Sequence, residues 1–340
     1  MIFDKYDAKN VGATVISSRI RLARNVCGVP FVIKNGDKAL KFAVDVTKSL
    51  NRIENFTLYK MKDLSYTERA SMVERYFISK YLFSNVSGGA VAISQDERVS
   101  VMINEEDQIR AQCILGGLQL KECYKRLSKL DDELSKYFDF AFDDDFGYLT
   151  ACPSNVGTGL RASAMMFLPA LTESGQIQGV MEKAKELGLT FRGIYGEGSK
   201  ADSYIYQISN EVTLGKSEEY IIEEVEKFVM SVSYSEVEIR GEIYQNKPIE
   251  LKDRCMRAYG VLTNCAYLEY EEFLSLITLV KLGITLNLFK FKDDREIDNL
   301  IVSARPNIIK LMNGDDISLT EEGIARAKYV AKSLKELTER

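Results

Sequence analysis

Four short stretches hold residues that could do chemistry together. In CPSNVGTGLRAS, Cys152 to Ser163, a cysteine, two glycines and Arg161 stand between apolar segments. Glycines let backbone N–H groups approach an anion, and an arginine forks onto phosphate oxygens. A phosphate-gripping turn and a plain tight turn with a surface arginine both satisfy this pattern. The GTGLRA core also fits the loose G-x-G-x-x-A dinucleotide pattern. Pro153, Ser154 and Asn155 separate it from the preceding strand, however, and a helix-like region lies where an acidic strand end should follow. In INEEDQIR, Glu105, Glu106 and Asp107 crowd together ahead of Arg110. Like charges this close are costly without a cation nearby, so the stretch is either a solvated acidic turn or a clamp for a cationic substrate. FRGIYGEGS puts Arg192 at a strand end and Glu197 on a glycine loop, and SSRIRLAR brings Arg19, Arg21 and Arg24 close together. Two carboxylates, Glu106 and Glu197, with Arg19, Arg21, Arg110, Arg161 and Arg192, suit the transfer of phosphate from a nucleotide to a cationic acceptor. Arginines neutralise the phosphates and the charge spread over the transferred group, and carboxylates hold a guanidinium in a bidentate fork.

The rest of the composition narrows the options. The 340 residues include no histidine, so serine triads, histidine-ligated zinc and histidine acid–base catalysis are excluded in their ordinary forms. Proton handling falls to carboxylates, Cys, Lys or Tyr. The six cysteines form no C-x-x-C pair, and no metal ligands are expected from the protein. A net charge of −5 gives no field favouring direct nucleic-acid binding, and no apolar run reaches membrane-spanning length. The opening MIFDKYDAKN lacks the pattern of a signal peptide, so a cytoplasmic protein is expected.

The elements that must position these residues are readable in part. Ala13 to Ile16 reads as a strand running into the basic segment, Asp37 to Ile53 and Thr67 to Leu82 as helices, and GGAVAISQDERVSVMI as a hairpin turning at Gln95 to Glu97. Lys121 to Tyr137 is helical in period, FGYLTACP reads as a strand, and Ala162 to Leu171 and Gly179 to Leu187 read as helices. Strand, Gly-rich loop and strand follow from Leu189, then a long amphipathic helix after Ser217. From Ile249 onward the pattern is helical, with Leu274 to Leu286 apolar enough for core. The expected architecture is α+β: a largely antiparallel sheet flanked by helices over residues 1–238, then a smaller all-helical domain over 239–340.

Taken in order, SSRIRLARN, INEEDQIR, CPSNVGTGLRAS and RGIYGEGS resemble the signature segments of the ATP:guanidino phosphotransferases, the phosphagen kinase family, over roughly residues 13 to 235. The chain is most similar to the bacterial protein-arginine kinases of that family. Tyr195 stands where the small-molecule kinases have arginine, and a helical C-terminal domain follows. Few residues precede Ser17, so the chain is expected to lack the helical domain that encloses small guanidino substrates. The resemblance implies a glutamine-synthetase-like catalytic fold and MgATP as phosphoryl donor. It implies nucleotide contacts from Ser17, Ser18, Arg19, Ile20 and Arg21, from Tyr76 and Arg110, from Arg161, Ala162, Ser163, Ala164 and Met165, and from Arg192, Gly193, Ile194, Tyr195 and Gly196. Glu106 and Glu197 would hold and activate the acceptor guanidinium, with Cys152 beside it, as a thiolate or as a partly buried neutral thiol. Implied partners are arginine-containing protein substrates, a zinc-binding activator, a heat-shock repressor, a Clp-type unfoldase–protease in stress response, and a second copy in a homodimer. Rival readings are a kinase for a small free guanidino compound and a weakly active adaptor that binds clients or phosphoarginine. Two departures stand out. The histidine that family members carry near the nucleotide is absent, and Tyr76 occupies the nearest position. The R-D-x-x-R-A motif of the C-terminal domain reads EGIARA, Glu322 to Ala327, and Glu322 would repel a phosphoryl group.

Overall fold

A computed structural model of the protein describes residues 13–193, 204–292 and 296–338. Ten strands are present among them: β1 Val15–Arg24, β2 Phe56–Lys60, β3 Ala90–Ser94, β4 Val99–Ile103, β5 Ile109–Gly116, β6 Phe142–Asp143, β7 Gly147–Tyr148, β8 Leu160–Phe167, β9 Leu189–Gly193 and β10 Ile205–Asn210. Eight of them form one sheet in the order β2-β3-β4-β5-β1-β8-β10-β9, antiparallel at every junction, and β6-β7 form a separate small hairpin. The α+β class and the antiparallel sheet expected from the sequence are both present.

The pleat sorts the sheet residues. Successive side chains of a strand point to opposite faces, and directly paired residues of antiparallel neighbours share a face. Ile20, Leu22, Ala111, Cys113, Ala162, Ala164, Met166 and Ile208 line one face and pack in a single apolar cluster with helices Gly36–Leu50, Leu120–Ser135 and Glu218–Asn246. Each buried leucine- or isoleucine-sized side chain there contributes roughly 1.5–3 kcal/mol of transfer free energy. The other face is apolar only at its margins: Met61, Phe77, Ile78 and Leu82 cover the β3-β4 end, and the C-terminal helices cover Phe167 and Ile205. Between these covers the face is polar.

Several local expectations change. The basic segment is itself strand, since β1 extends to Arg24 and alternates arginines with Ile20 and Leu22. Ala162 to Leu171, expected as helix, is mostly strand β8. Its alanines and methionines favour helix in isolation, and pairing with β1 and β10 on both sides overrides that propensity. The helix expected over Thr67 to Leu82 breaks into Tyr66–Glu74 and Lys80–Ser84 around Tyr76, which has φ 63°. The strand expected in FGYLTACP shrinks to Gly147–Tyr148. Helix Glu218–Asn246 runs on through positions 238 and 239. Helices Pro248–Asn264, Tyr270–Thr285, Glu296–Ser303, Pro306–Asn313 and Leu319–Leu337 then build a second core in which Leu274, Ile277, Val280, Leu282 and Ile284 are buried, as expected.

Candidate active site

Register brings the arginines together. Arg21 pairs with Arg161 across β1 and β8, Ala23 pairs with Arg110 on β5, and Gln207 on β10 pairs with Arg192 on β9. Parity then places Arg19, Arg21, Arg110, Arg161 and Arg192 on the one polar face of the sheet, over five adjacent strands. Arg19 donates from Nη2 to Gln207 Oε1 at 3.1 Å and from Nε to Ser163 Oγ at 3.4 Å; Arg161 donates from Nη2 to Ser209 Oγ at 3.1 Å. These acceptors are neutral. Gln207 and Ser209 did not figure among the expected site residues, although the alternation Tyr206, Gln207, Ile208, Ser209 carries the signal.

The crowding shows in the electrostatics. Burial first, and then Arg110 and Arg161, bring Arg19 down to about 10, while Tyr76 opposes the shift. Arg21 is lowered by burial and by Arg19, Arg110 and Arg161, and Arg161 by burial, Arg192 and Arg110. The Nε atoms of Arg21 and Arg161 are buried with no hydrogen-bond partner among the described residues. Buried cations in excess of their counter-charge are costly, so this face suits a polyanion. A nucleotide polyphosphate fits it.

The same pleat narrows the expected contacts. Side chains of Ser17, Arg19 and Arg21, and of Arg161, Ser163 and Met165, share the polar face. Those of Ser18, Ile20, Ala162 and Ala164 point to the helices and are buried there. Ser18 Oγ donates to the Gly117 carbonyl at 2.8 Å and accepts from Gln119 N–H at 2.8 Å, which ties β1 to the start of helix Leu120–Ser135. Arg192 and Gly193 are exposed at the end of β9, and Ile194, Tyr195, Gly196 and Glu197 lie outside the described residues.

The acidic cluster separates into three roles. Both oxygens of buried Glu105 accept from Arg110 at 2.8 Å, and one also accepts from Ser79. Asp107 accepts from Asn25 Nδ2 and from Ala151 N–H, each at 2.7 Å, which fastens the segment before Cys152 to the acidic loop. Asn104, at φ 57°, turns the chain and joins Ile33 and Gly88 through its side chain. Only Glu106 has no hydrogen bond or ion pair among the described residues. Burial and then Asp107 push its carboxyl up, with Arg110 opposing. Cys152 is half-buried with Sγ 3.0 Å from Ser154 Oγ.

In the C-terminal domain the EGIARA stretch lies on helix Leu319–Leu337. Arg326 is buried and fully engaged: Nε donates to the Ala304 carbonyl at 2.8 Å, Nη1 to Leu268 at 3.0 Å, and Nη2 to Glu322. Gly323 packs against the Tyr267 ring, 2.3 Å from where a Cβ would stand.

Residues 38–239 match the family described as ATP:guanido phosphotransferase, C-terminal catalytic domain, and residues 248–340 match the protein-arginine kinase McsB C-terminal domain. A protein-arginine kinase of Caldanaerobacter subterraneus subsp. tengcongensis is 41% identical over 326 residues, 94% of this chain and 96% of that one. The chain belongs to the protein-arginine kinases of the ATP:guanido phosphotransferase family. Among solved structures, the duplicated taurocyamine kinase of Schistosoma mansoni with bound transition-state-analogue components has a TM-score of 0.60 at 30% identity. The match covers 68% of this chain and about a third (34%) of that duplicated one. Lombricine kinase, at 24% identity and TM-score 0.59 over 70% of this chain, shares the fold. No helix among the described residues is long and apolar enough to cross a membrane.

Proposed function

We propose that this chain transfers the γ-phosphoryl group of ATP to arginine side chains of polypeptides. The observation that carries the reading is the convergence of five guanidinium groups on one polar sheet face, beside the one carboxylate of the acidic loop left without a structural partner. Arg19, Arg21, Arg110, Arg161 and Arg192 bind and orient the polyphosphate and take up the charge that spreads over the transferred group. Magnesium, carried by the nucleotide, would add neutralisation of phosphate oxygens to that supplied by these arginines.

A protonated arginine is a poor nucleophile because its lone pairs are delocalised. Glu106, its carboxyl raised by burial, is suited to align the acceptor guanidinium and to take a proton from it, with Glu197 as its expected partner. The acceptor nitrogen forms the N–P bond as the bond from phosphorus to the β–γ bridging oxygen breaks, and ADP leaves with that electron pair. Cys152 borders the acceptor. On kinship alone, the same reading extends to a quality-control role in which the mark directs clients to a Clp-type protease.

The test is incubation with MgATP and an arginine-rich protein, followed by mass spectrometry without acid, because N–P bonds are acid-labile. Phosphoryl groups on protein arginine are expected, and turnover of free arginine or creatine alone would sink the proposal. Glu106→Gln is expected to lower the rate by about 10²-fold. Because the Glu106 carboxyl is raised, it protonates and ceases to act as a base at a higher pH than an ordinary glutamate. The acid limb of kcat/KM should therefore lie above that of an ordinary glutamate in the wild type and move to lower pH in Glu106→Gln.

A further inference from the structure

The segment 75–79, between helices Tyr66–Glu74 and Lys80–Ser84, is pinned from two sides. From the sheet, Gln112, the cross-strand partner of Arg21, donates to the Tyr76 carbonyl at 2.5 Å and to Ser100 Oγ at 2.8 Å. Ser100 in turn donates to the Phe77 carbonyl at 2.9 Å. From the C-terminal domain, buried Arg305 donates to the Glu74 carbonyl at 2.7 Å and to the Tyr76 phenol oxygen, with its guanidinium carbon 4.6 Å from the ring centroid. The Glu74 carboxylate accepts from Asn307 N–H at 3.0 Å, Ile308 N–H at 3.1 Å and Asn307 Nδ2 at 2.6 Å, capping helix Pro306–Asn313. Between these anchors Tyr76 holds φ 63°. That left-handed conformation costs a non-glycine residue free energy and persists only where its surroundings over-determine it.

The two anchors have different origins. Gln112 and Ser100 belong to the polar face itself, and fix the backbone of Tyr76 at its edge. Arg305 is 229 residues away in sequence and fixes the phenol ring. We propose that Arg305 is a positioning residue for nucleotide binding: it holds Tyr76 at the edge of the arginine face, so that the nucleotide site is complete only when the C-terminal domain is docked. The proposal rests on the reading of that face as the nucleotide site. It adds that two domains share the site, and that any ligand or partner displacing helix Pro306–Asn313 changes nucleotide affinity, with the reciprocal effect required by linkage.

The test measures ATP binding by calorimetry and steady-state kinetics in the full chain, for wild type, Arg305→Met, Arg305→Lys, Tyr76→Phe and the double variant Arg305→Met/Tyr76→Phe. Arg305→Met and Tyr76→Phe are each expected to weaken ATP binding by about tenfold, with the KM for the protein acceptor unchanged and Arg305→Lys recovering part of the loss. The double variant should be no weaker than either single one, because both remove the same contact. A folded Arg305→Met with wild-type ATP affinity overturns the proposal, as do fully additive losses in the double variant. Should Arg305→Met fail to fold, Glu74→Gln loosens the same docking by removing the capping charge; wild-type ATP affinity in both Glu74→Gln and Tyr76→Phe overturns the proposal. A wild type whose ATP affinity is unmoved by Arg161→Gln overturns the nucleotide-site reading itself, whatever Arg305 does.

Discussion

Two regions of this molecule bury arginine, and they treat it differently. In the C-terminal domain, Arg326 has a carboxylate and two backbone carbonyls as acceptors, all supplied from within. Arg24 and Arg240 are treated likewise elsewhere: Arg24 meets Asp131 at 2.8 Å and stacks on Tyr148, and Arg240 meets Glu236 at 2.9 Å. On the polar sheet face, Arg19 and Arg161 meet only neutral side chains, and Arg21 and Arg161 leave Nε unmatched among the described residues. Among the described residues, Arg110 alone of these five forms an ion pair there, with Glu105. The difference separates structural charge from functional charge. A guanidinium neutralised by its own chain holds the fold, and one left in excess is held for a ligand that brings the opposite sign.

This contrast predicts opposite consequences of mutation, and the largest belongs to the sheet face. Arg161→Gln should reduce phosphoryl transfer by roughly 10²–10³-fold, the usual effect of removing one donor aimed at developing charge. Its melting temperature should not fall, because the change removes a buried cation that two neighbours, Arg192 and Arg110, repel. Thermal denaturation beside a transfer assay checks both. A destabilised Arg161→Gln would place that arginine with the structural group and erase the distinction.

Glu322→Gln should do the reverse. It leaves Arg326 buried without its carboxylate, a loss of about 3 kcal/mol by analogy with other buried pairs stripped of one partner. Chemical denaturation should report that loss, with the transfer rate of the folded fraction close to wild type. A stable Glu322→Gln would show that the Ala304 and Leu268 carbonyls satisfy Arg326 by themselves.

How much of this was open to reading in the sequence depended on the range of the interaction. The alternation in AVAISQDERVSVMI follows the two-residue period of a strand, so the hairpin was legible; RIRLAR has the same alternation, yet the strand expected to end at Ile16 runs on to Arg24. Strand β8 was not, because Ala162, Ala164 and Met166 are apolar and helix-favouring, and only pairing on both sides makes them strand. Nothing local separates Glu106 from Glu105 and Asp107. Their roles diverge through Arg110, Ser79, Asn25 and Ala151, three of which belong to other elements. The link from Tyr76 to Arg305 joins two folded domains and has no sequence signature. Ser18 and Ile20 show the limit from the other side: they belong to a legible motif, yet the pleat turns their side chains away from the site.

The smallest effect concerns shape and not charge, and it tests whether the Arg326 region is as rigid as its hydrogen bonds imply. A Cβ at Gly323 would lie 2.3 Å from Tyr267 Cε2, too close to tolerate without movement. Tyr267 is 42% exposed, and its hydroxyl makes a long contact of 3.4 Å to Glu269, so its ring has room to swing outward. Overpacking of this kind costs about 1–3 kcal/mol when the neighbour is fixed. A mobile ring, together with alanine's helix propensity advantage of roughly 1 kcal/mol over glycine, should bring the net loss for Gly323→Ala to about 1 kcal/mol or less. A loss as large as that of Glu322→Gln would mean that Tyr267 is locked in place. The environment of Arg326 would then be held by packing as much as by its ion pair, and the charge argument for that region would carry less of its stability.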